Sequence, residues 1–361
     1  MKRLRKMLLL PIAAFAVFAF GGCGGGSDNP PGTGGGAYPT ELPDYEARKG
    51  EKEFVIWGFL TPPPTAQHFG WYADAGFNVV HIDPFVYQKP GQPEMYDRLR
   101  LAEEYGLKAV IDLSRDNPND GALDMAANDY TDYPAFMGYR TDEPLTTADA
   151  EKIFENTALM DAKYPGREYW VTHTAGPRWG HGTIGDTLKW FYGQAGAAHK
   201  VISWDYYVLQ GNAYAYAIAE DWLRMAEQYA KAAKDLDKDL YSFIASMSIN
   251  SQKTRRPSEE DIRYQANVML AYGSKGIEYF CYTTPGRPPF DGEFRAGDWA
   301  LVWSPDYAGV DDTATWERTE TWYSAQKVNR ELRAFEHVFL SFDWQGVMTT
   351  KGSDARTSAG A

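Results

Sequence analysis

The segment Phe136–Thr146, FMGYRTDEPLT, places one cation and two acids close together: Arg140, Asp142 and Glu143, followed by Pro144. A carboxyl group beside a second carboxylate keeps its proton to higher pH, as a general acid near neutrality must. Asp142 would in this way oppose ionisation of Glu143. On an extended strand, Arg140 and Asp142 share one face and Glu143 takes the other. Arg140 can then neutralise Asp142, and the two adjacent acids are not themselves a facing catalytic pair. Partly burying such neighbours costs several kcal/mol unless partners compensate. The segment is therefore an acid–base site or a solvated turn. In the turn reading the Arg140–Asp142 bridge is structural, and Glu143 only favours the dipole of the next helix.

The elements around it decide where those groups stand. Apolar runs read as strands at Glu53–Thr61, Phe77–Phe85, Leu107–Ser114, Ala135–Pro144, Arg167–Ala175, Val201–Leu209, Leu240–Ile249 and Ile277–Pro285. Helical patterns separate them, the clearest opened by a Thr at 146 and by Ser258. Strands alternating with helices indicate a parallel sheet covered on both faces. Eight such units fit an α/β fold of the (β/α)8 TIM-barrel type. The competitor is a doubly wound open sheet, but no Gly-rich phosphate loop follows the first strand.

In a barrel, active sites lie at the C-terminal ends of the strands. Asp142 and Glu143 end the fourth. Asp83 follows the second strand, Asp112 lies in the third, His173 comes after the fifth, and Asp205 and Tyr206 are in the sixth. Asn250 follows the seventh strand, and Tyr282 and Arg287 belong to the eighth and its loop. Each also has a plain structural role open to it, as a cap or a packed side chain.

Composition narrows the partners. The chain has 361 residues and a formal charge of −13, and 15% of its residues are aromatic, a supply of flat faces that fill cores or stack on apolar ligand faces. MKRLRK and MLLLPIAAFAVFAF form the basic and apolar parts of an export signal, the apolar part being short for a membrane span. FGGC resembles the lipobox of bacterial lipoproteins, with Phe20 where Leu is usual. That resemblance implies a signal peptide at 1–22 and lipidation of Cys23. An ordinary secretory signal with an incidental cysteine is the alternative. GGGSDNPPGTGGG then reads as part of a flexible tether over residues 23–47. Loss of Lys2, Arg3, Arg5 and Lys6 with the signal would move the formal charge from −13 to −17. Such acidity argues against nucleic acid as a partner and against electrostatic membrane binding, leaving the lipid anchor as the only membrane attachment. Only Cys281 would remain besides Cys23, so no disulfide is expected.

With GYRTDEP on the fourth of eight strands, the chain resembles the clan of (β/α)8 glycoside hydrolases that includes β-galactosidases and cellulases. The segments SWDYYVL, FIASMSI, QANVMLAYGSKGIEYFCYTTP and VNRELRAF extend the likeness, to bacterial members of that clan, over about residues 50–345. The clan's general acid/base is a glutamate ending strand four, usually within Asn-Glu-Pro, and the resemblance carries that role to Glu143 of Asp142-Glu143-Pro144. It implies a carbohydrate substrate for the barrel that the eight units set at 48–345, while the lipobox-like FGGC implies location in the bacterial cell envelope. Arg140, Asp142, Asp83, His173, Tyr206, Asn250, Tyr282 and Trp57 are the candidates to line its site.

The clan places its nucleophile at the end of strand seven, and here FIASMSIN has no acid. Glu259 and Glu260 begin the following helix, where acids are expected for dipole reasons. Asp205 stands at a suitable height to be the second carboxylate, while Glu278 is expected to lie too deep. No metal motif is present, neither His-x-His on strand one nor HExxH, and no cofactor motif. Two functions stay open: an envelope-anchored glycosidase using carboxylate acid/base catalysis, or a catalytically inactive glycan-binding lipoprotein. After the eighth helix, near Phe342, the sequence begins like a strand and then turns polar. Residues 346–361 are expected to be a tail, the start of a truncated accessory β-domain.

Overall fold

Asn78 closes the barrel with its side chain. Its Oδ1 accepts from the Ile56 N–H at 2.8 Å, its Nδ2 donates to the Phe54 carbonyl at 3.2 Å, and its own N–H donates to the Ile56 carbonyl at 3.0 Å. These bonds join β1 (Val55–Gly58) to β2 (Val79–Ile82), the two ends of an eight-stranded parallel sheet. The others are β3 (Lys108–Leu113), β4 (Phe136–Asp142), β5 (Glu168–Thr174), β6 (Val201–Asp205), β7 (Asp239–Ala245) and β8 (Ser274–Phe280). Ladder neighbours run β1–β8–β7–β6–β5–β4–β3–β2. The fold is thus the (β/α)8 barrel, not the open sheet. The computed structural model describes residues 53–82, 93–113, 120–196, 198–210, 217–218, 221–248, 254–284, 300–303 and 316–347.

Eight helices alternate with the strands among the described residues: α1 (Ala66–Asp74), α2 (Pro93–Glu104), α3 (Asp120–Ala127), α4 (Thr147–Lys163), α5 (Ile184–Tyr192), α6 (Trp222–Asp235), α7 (Glu259–Ala271) and α8 (Glu320–Ser341). Their starts follow local chemistry. Thr146 and Ser258 form capping boxes with Asp149 and Asp261, and Thr65, Thr183 and Thr319 cap α1, α5 and α8. Lys275 donates to the carbonyls of Phe339 and Phe342, satisfying the end of α8.

Strand alternation divides the apolar residues into two layers. Outward side chains such as Ile56, Ile111, Tyr169, Trp204 and Ile277 pack under the helices. Inward ones, Val55, Val79, Val110, Val201 and Tyr241 with Trp57, Trp170 and Phe243, fill the barrel. The interior is therefore plugged, and a site can form only at its mouth. Gly138 lets β4 and β5 approach: a Cβ there would lie 1.8 Å from the Glu168 carbonyl oxygen.

Two short hairpins were not expected from the sequence. Leu209–Gln210 pairs antiparallel with Ala217–Ile218, and Val302–Trp303 with Glu317–Arg318. The first arises because β6 ends at Asp205, opposite Thr174, the last residue of β5. The sequence run to Leu209 therefore splits. Residues 342–347 form no strand, contrary to expectation. Trp344 instead packs against Gly273, where a Cβ would meet its Cβ at 2.6 Å. The expected signal peptide, the tether and residues 348–361 lie outside the described residues.

Candidate active site

Backbone register brings Arg140 and Asp142 of β4 level with Trp170 and Thr172 of β5. Thr172 is level with Ser203, and Thr174 with Asp205. The Arg140 guanidinium lies inside the barrel mouth, 1% exposed at its side chain. It bonds Asp112 Oδ2 at 2.8 Å, Thr172 Oγ1 at 2.9 Å and Asp142 Oδ1. It also lies 5.1 Å from the Trp57 ring and 5.0 Å from that of Phe59, both within cation–π reach. Burial opposes its charge, but Asp142, Asp112 and Glu278 outweigh that effect and raise its pKa. Asp142 keeps 30% of its side chain exposed, so it is anchored from below and open above.

Glu143 departs from strand alternation. Its φ is +38°, in the left-handed region, while its N–H still donates to the Thr172 carbonyl at 2.9 Å. Such a backbone costs roughly 1–3 kcal/mol in a residue with a side chain. The turn brings the carboxyl group back over the mouth, where it hydrogen-bonds Asp205. Adjacent Asp142 and Glu143 therefore border one cup, not opposite faces. A carboxylate can only accept hydrogen bonds, so the Glu143–Asp205 contact holds a proton. Burial, then the charges of Glu143 and Asp142, push the Asp205 pKa well above the carboxylate range, against a hydrogen bond from Tyr207.

A row of rings adjoins these acids. Tyr207 lies 4.8 Å from Phe280, which stacks on Phe59 at 5.6 Å and 16°. All three are partly exposed. Beneath them, Glu278 is fully buried, its Oε1 accepting from Trp57 Nε1 at 2.8 Å and its Oε2 from Ser203 Oγ at 2.6 Å. Glu278 is the fifth of the seven residues of β8, so burial, not a place at the start of its strand, keeps it from the mouth. Asp112 is likewise internal, bonded to His81 Nε2 at 2.8 Å.

Several candidate positions need correction. Trp57 is fully buried in the plug and offers no open face. His173 points outward between β5 and α5, packed on Phe191 and bonded to Tyr192 at 3.1 Å, and burial lowers its pKa to about 3. Tyr282 is buried against Tyr72 and Phe77 in the strand–helix layer. Tyr206 turns away to donate to Asp221 at 2.6 Å. Its neighbour Tyr207 takes the place expected for it. Alternation through Ser203, Asp205 and Tyr207 was the signal for that choice. Asp83, Asn250, Arg287 and Cys23 lie outside the described residues. Among the described residues, no cluster of three or more His, Cys, Asp or Glu side chains is placed to hold a metal ion, and no helix is long and apolar enough to cross a membrane.

No protein-family model matches the chain, and no curated protein sequence matches it. Solved structures do. A GH5_18 protein from Bifidobacterium longum subsp. infantis is 12% identical, with a TM-score of 0.53 over 77% of this chain and 79% of the other. The GH99 endo-alpha-mannosidase from Bacteroides thetaiotaomicron is 11% identical, with a TM-score of 0.53 over 80% and 99%. A variant GH5_18 protein from Streptomyces cattleya, in complex with Manβ1-4GlcNAc, is 12% identical, with a TM-score of 0.52 over 81% and 83%. What the chain shares with these three is the parallel (β/α)8 barrel on which such glycoside hydrolases are built.

Proposed function

We propose that the protein is a glycoside hydrolase, lipid-anchored through Cys23 in the bacterial cell envelope, that cleaves O-glycosidic bonds in a poly- or oligosaccharide. The observation that carries this reading is the proton-holding pair of Glu143 and Asp205 at the barrel mouth. Glycosidic cleavage needs a protonated carboxyl at the leaving oxygen and a second carboxylate that attacks the sugar carbon or takes the proton of an attacking water. Glu143 is the proton donor. Asp205 stores the proton with it and takes up negative charge as the proton leaves. Asp142, anchored by Arg140 and open above, takes the proton of the water that attacks the sugar carbon, so that the hydroxyl adds there as the leaving oxygen gains the proton of Glu143. Phe59, Phe280 and Tyr207 offer the apolar surface on which a sugar ring can stack.

One observation favours the rival reading, a glycan-binding lipoprotein without catalysis. Directly bonded carboxyl groups stand closer than the ~5 Å of a retaining pair or the ~6.5–9.5 Å of an inverting pair. In the hydrolase reading the role of second carboxylate falls to Asp142, while Glu143 and Asp205 stay paired. Incubation of the protein with a broad glycan panel, read by reducing-end release and by binding calorimetry, distinguishes the two. Cleavage of any member supports the hydrolase. Binding throughout the panel without cleavage selects the binding protein.

A further inference from the structure

A chain of hydrogen bonds runs from the buried interior of the barrel to its mouth. Glu278 Oε2 accepts from Ser203 Oγ at 2.6 Å, and Ser203 Oγ lies 3.2 Å from Thr172 Oγ1. Thr172 Oγ1 accepts from Arg140 Nη2 at 2.9 Å, and the same nitrogen bonds Asp142 Oδ1. A second route leads through Trp57, which donates to Glu278 Oε1 and lies 5.1 Å from the Arg140 guanidinium. Four strands, β8, β6, β5 and β4, each contribute a polar link in a plug otherwise built of valines and aromatic rings.

A buried carboxyl group is costly, and a structural acceptor for Ser203 and Trp57 does not require an ionisable one. Glutamine could fill that space without a charge. Glu278 faces Arg140, with three acids, Asp142, Asp112 and Glu278 itself, around that one guanidinium. Tyr241 of β7 and Tyr192 of α5 also lie within its electrostatic reach, and His81 stands behind Asp112. The guanidinium cannot neutralise three carboxylates, so the deepest is the one that holds a proton most readily.

We propose that Glu278 is a positioning residue for the rim acid Asp142, setting its orientation through Ser203, Thr172 and Arg140 without touching substrate. Burial raises the Glu278 pKa to about 7, against the bonds from Ser203 and Trp57 and the attraction of Arg140. Below that pH the neutral acid leaves Arg140 committed to Asp112 and Asp142. Above it, a new buried anion draws on the same guanidinium and repels Asp142. The device rests on the hydrolase reading only for its effect on turnover. Its structural part stands without it.

The test is carboxyl-carbon NMR of the full chain across pH 5–9, with the Asp142 resonance assigned by its loss in Asp142→Asn. The proposal expects the Asp142 shift to carry an inflection near the Glu278 midpoint. Glu278→Gln, which keeps the shape, abolishes that inflection. Thr172→Val cuts the chain while leaving Glu278, Ser203 and Trp57 in place, so the Asp142 inflection shrinks there while the Glu278 titration persists. On a cleaved glycan, kcat of the parent falls through the same midpoint with KM unchanged, and Glu278→Gln removes that step. An Asp142 resonance blind to the Glu278 titration, or one indifferent to Thr172→Val, overturns the proposal. Absence of glycan cleavage with the NMR coupling intact instead removes the hydrolase reading and leaves the coupling.

Discussion

Asp205, the last residue of β6, is hydrogen-bonded to Glu143, the residue that follows β4 across the barrel mouth. The contact joins groups 62 positions apart in the sequence. Burial and the neighbouring charges of Glu143 and Asp142 hold the Asp205 proton well above the ordinary carboxylate range. Asn at position 205 would instead offer an N–H to Glu143 and favour its ionised form. Asp205→Asn should therefore move the basic limb of the kcat/KM profile to lower pH. An unmoved basic limb would show that the pair does not set the donor's ionisation.

Arg140 serves Asp112, Asp142 and Thr172 at once from a buried position. Removing one partner of a buried ion pair typically costs about 3–5 kcal/mol, because the remaining charge has lost its counter-charge. Arg140→Met should lower the unfolding free energy by that amount in urea titrations at pH 7. Asp112→Asn in the same background should recover part of the loss. Additive losses in the double variant would contradict the assignment of the cost to uncompensated charge.

Buried histidines make the fold sensitive to acid. Burial holds the pKa of His68 at about 4 and those of His173 and His199 at about 3, below the ordinary 6.5. A depressed folded-state pKa gives stability that is present above 6.5 and lost as pH falls toward the folded value. Each group contributes a slope of up to about 1.4 kcal/mol per pH unit. The stability advantage of the parent over His199→Gln should shrink between pH 7 and pH 4. A difference constant over that range would mean that His199 does not stay neutral in the fold.

Envelope anchoring rests on FGGC and the Gly-rich segment after it. Cys23→Ser should shift the protein from the membrane fraction to the periplasm or medium, read by fractionation and immunoblot. Unchanged sedimentation with membranes would remove the lipid anchor from the account.

The barrel was legible because largely apolar strands alternate with helical patterns, several of them opened by their own cap, as at Thr146 and Ser258. The closure through Asn78 was not, since a polar residue beside a strand carries no mark of its partner. Within the site, Arg140–Asp142 followed from two-residue alternation. The same alternation misplaced Glu143, because a left-handed φ cannot be read from a glutamate. Position near the end of β5 alone suggests the rim for His173. Its parity with Val171 and Tyr169, both in the outer layer, points to the helices. Only Tyr207 shares the parity of Asp205, so alternation along β6 points to Tyr207 and not to Tyr206. Arg140 illustrates the remaining gap: its contacts with Asp112 and Thr172 depend on register between strands, which spacing along one strand cannot supply.

The central claim is that Glu143 delivers the proton to a glycosidic oxygen, and it is tested most directly by Glu143→Gln assayed on two substrates that share one sugar. General acid catalysis is typically worth about 10²–10⁴-fold, so turnover of the unactivated glycan should fall by that factor with glycan binding retained. An aryl glycoside whose leaving group needs no proton should be cleaved at close to the parental rate in its first step. Full activity of Glu143→Gln on the unactivated glycan, or an equal loss on both substrates, would contradict the account.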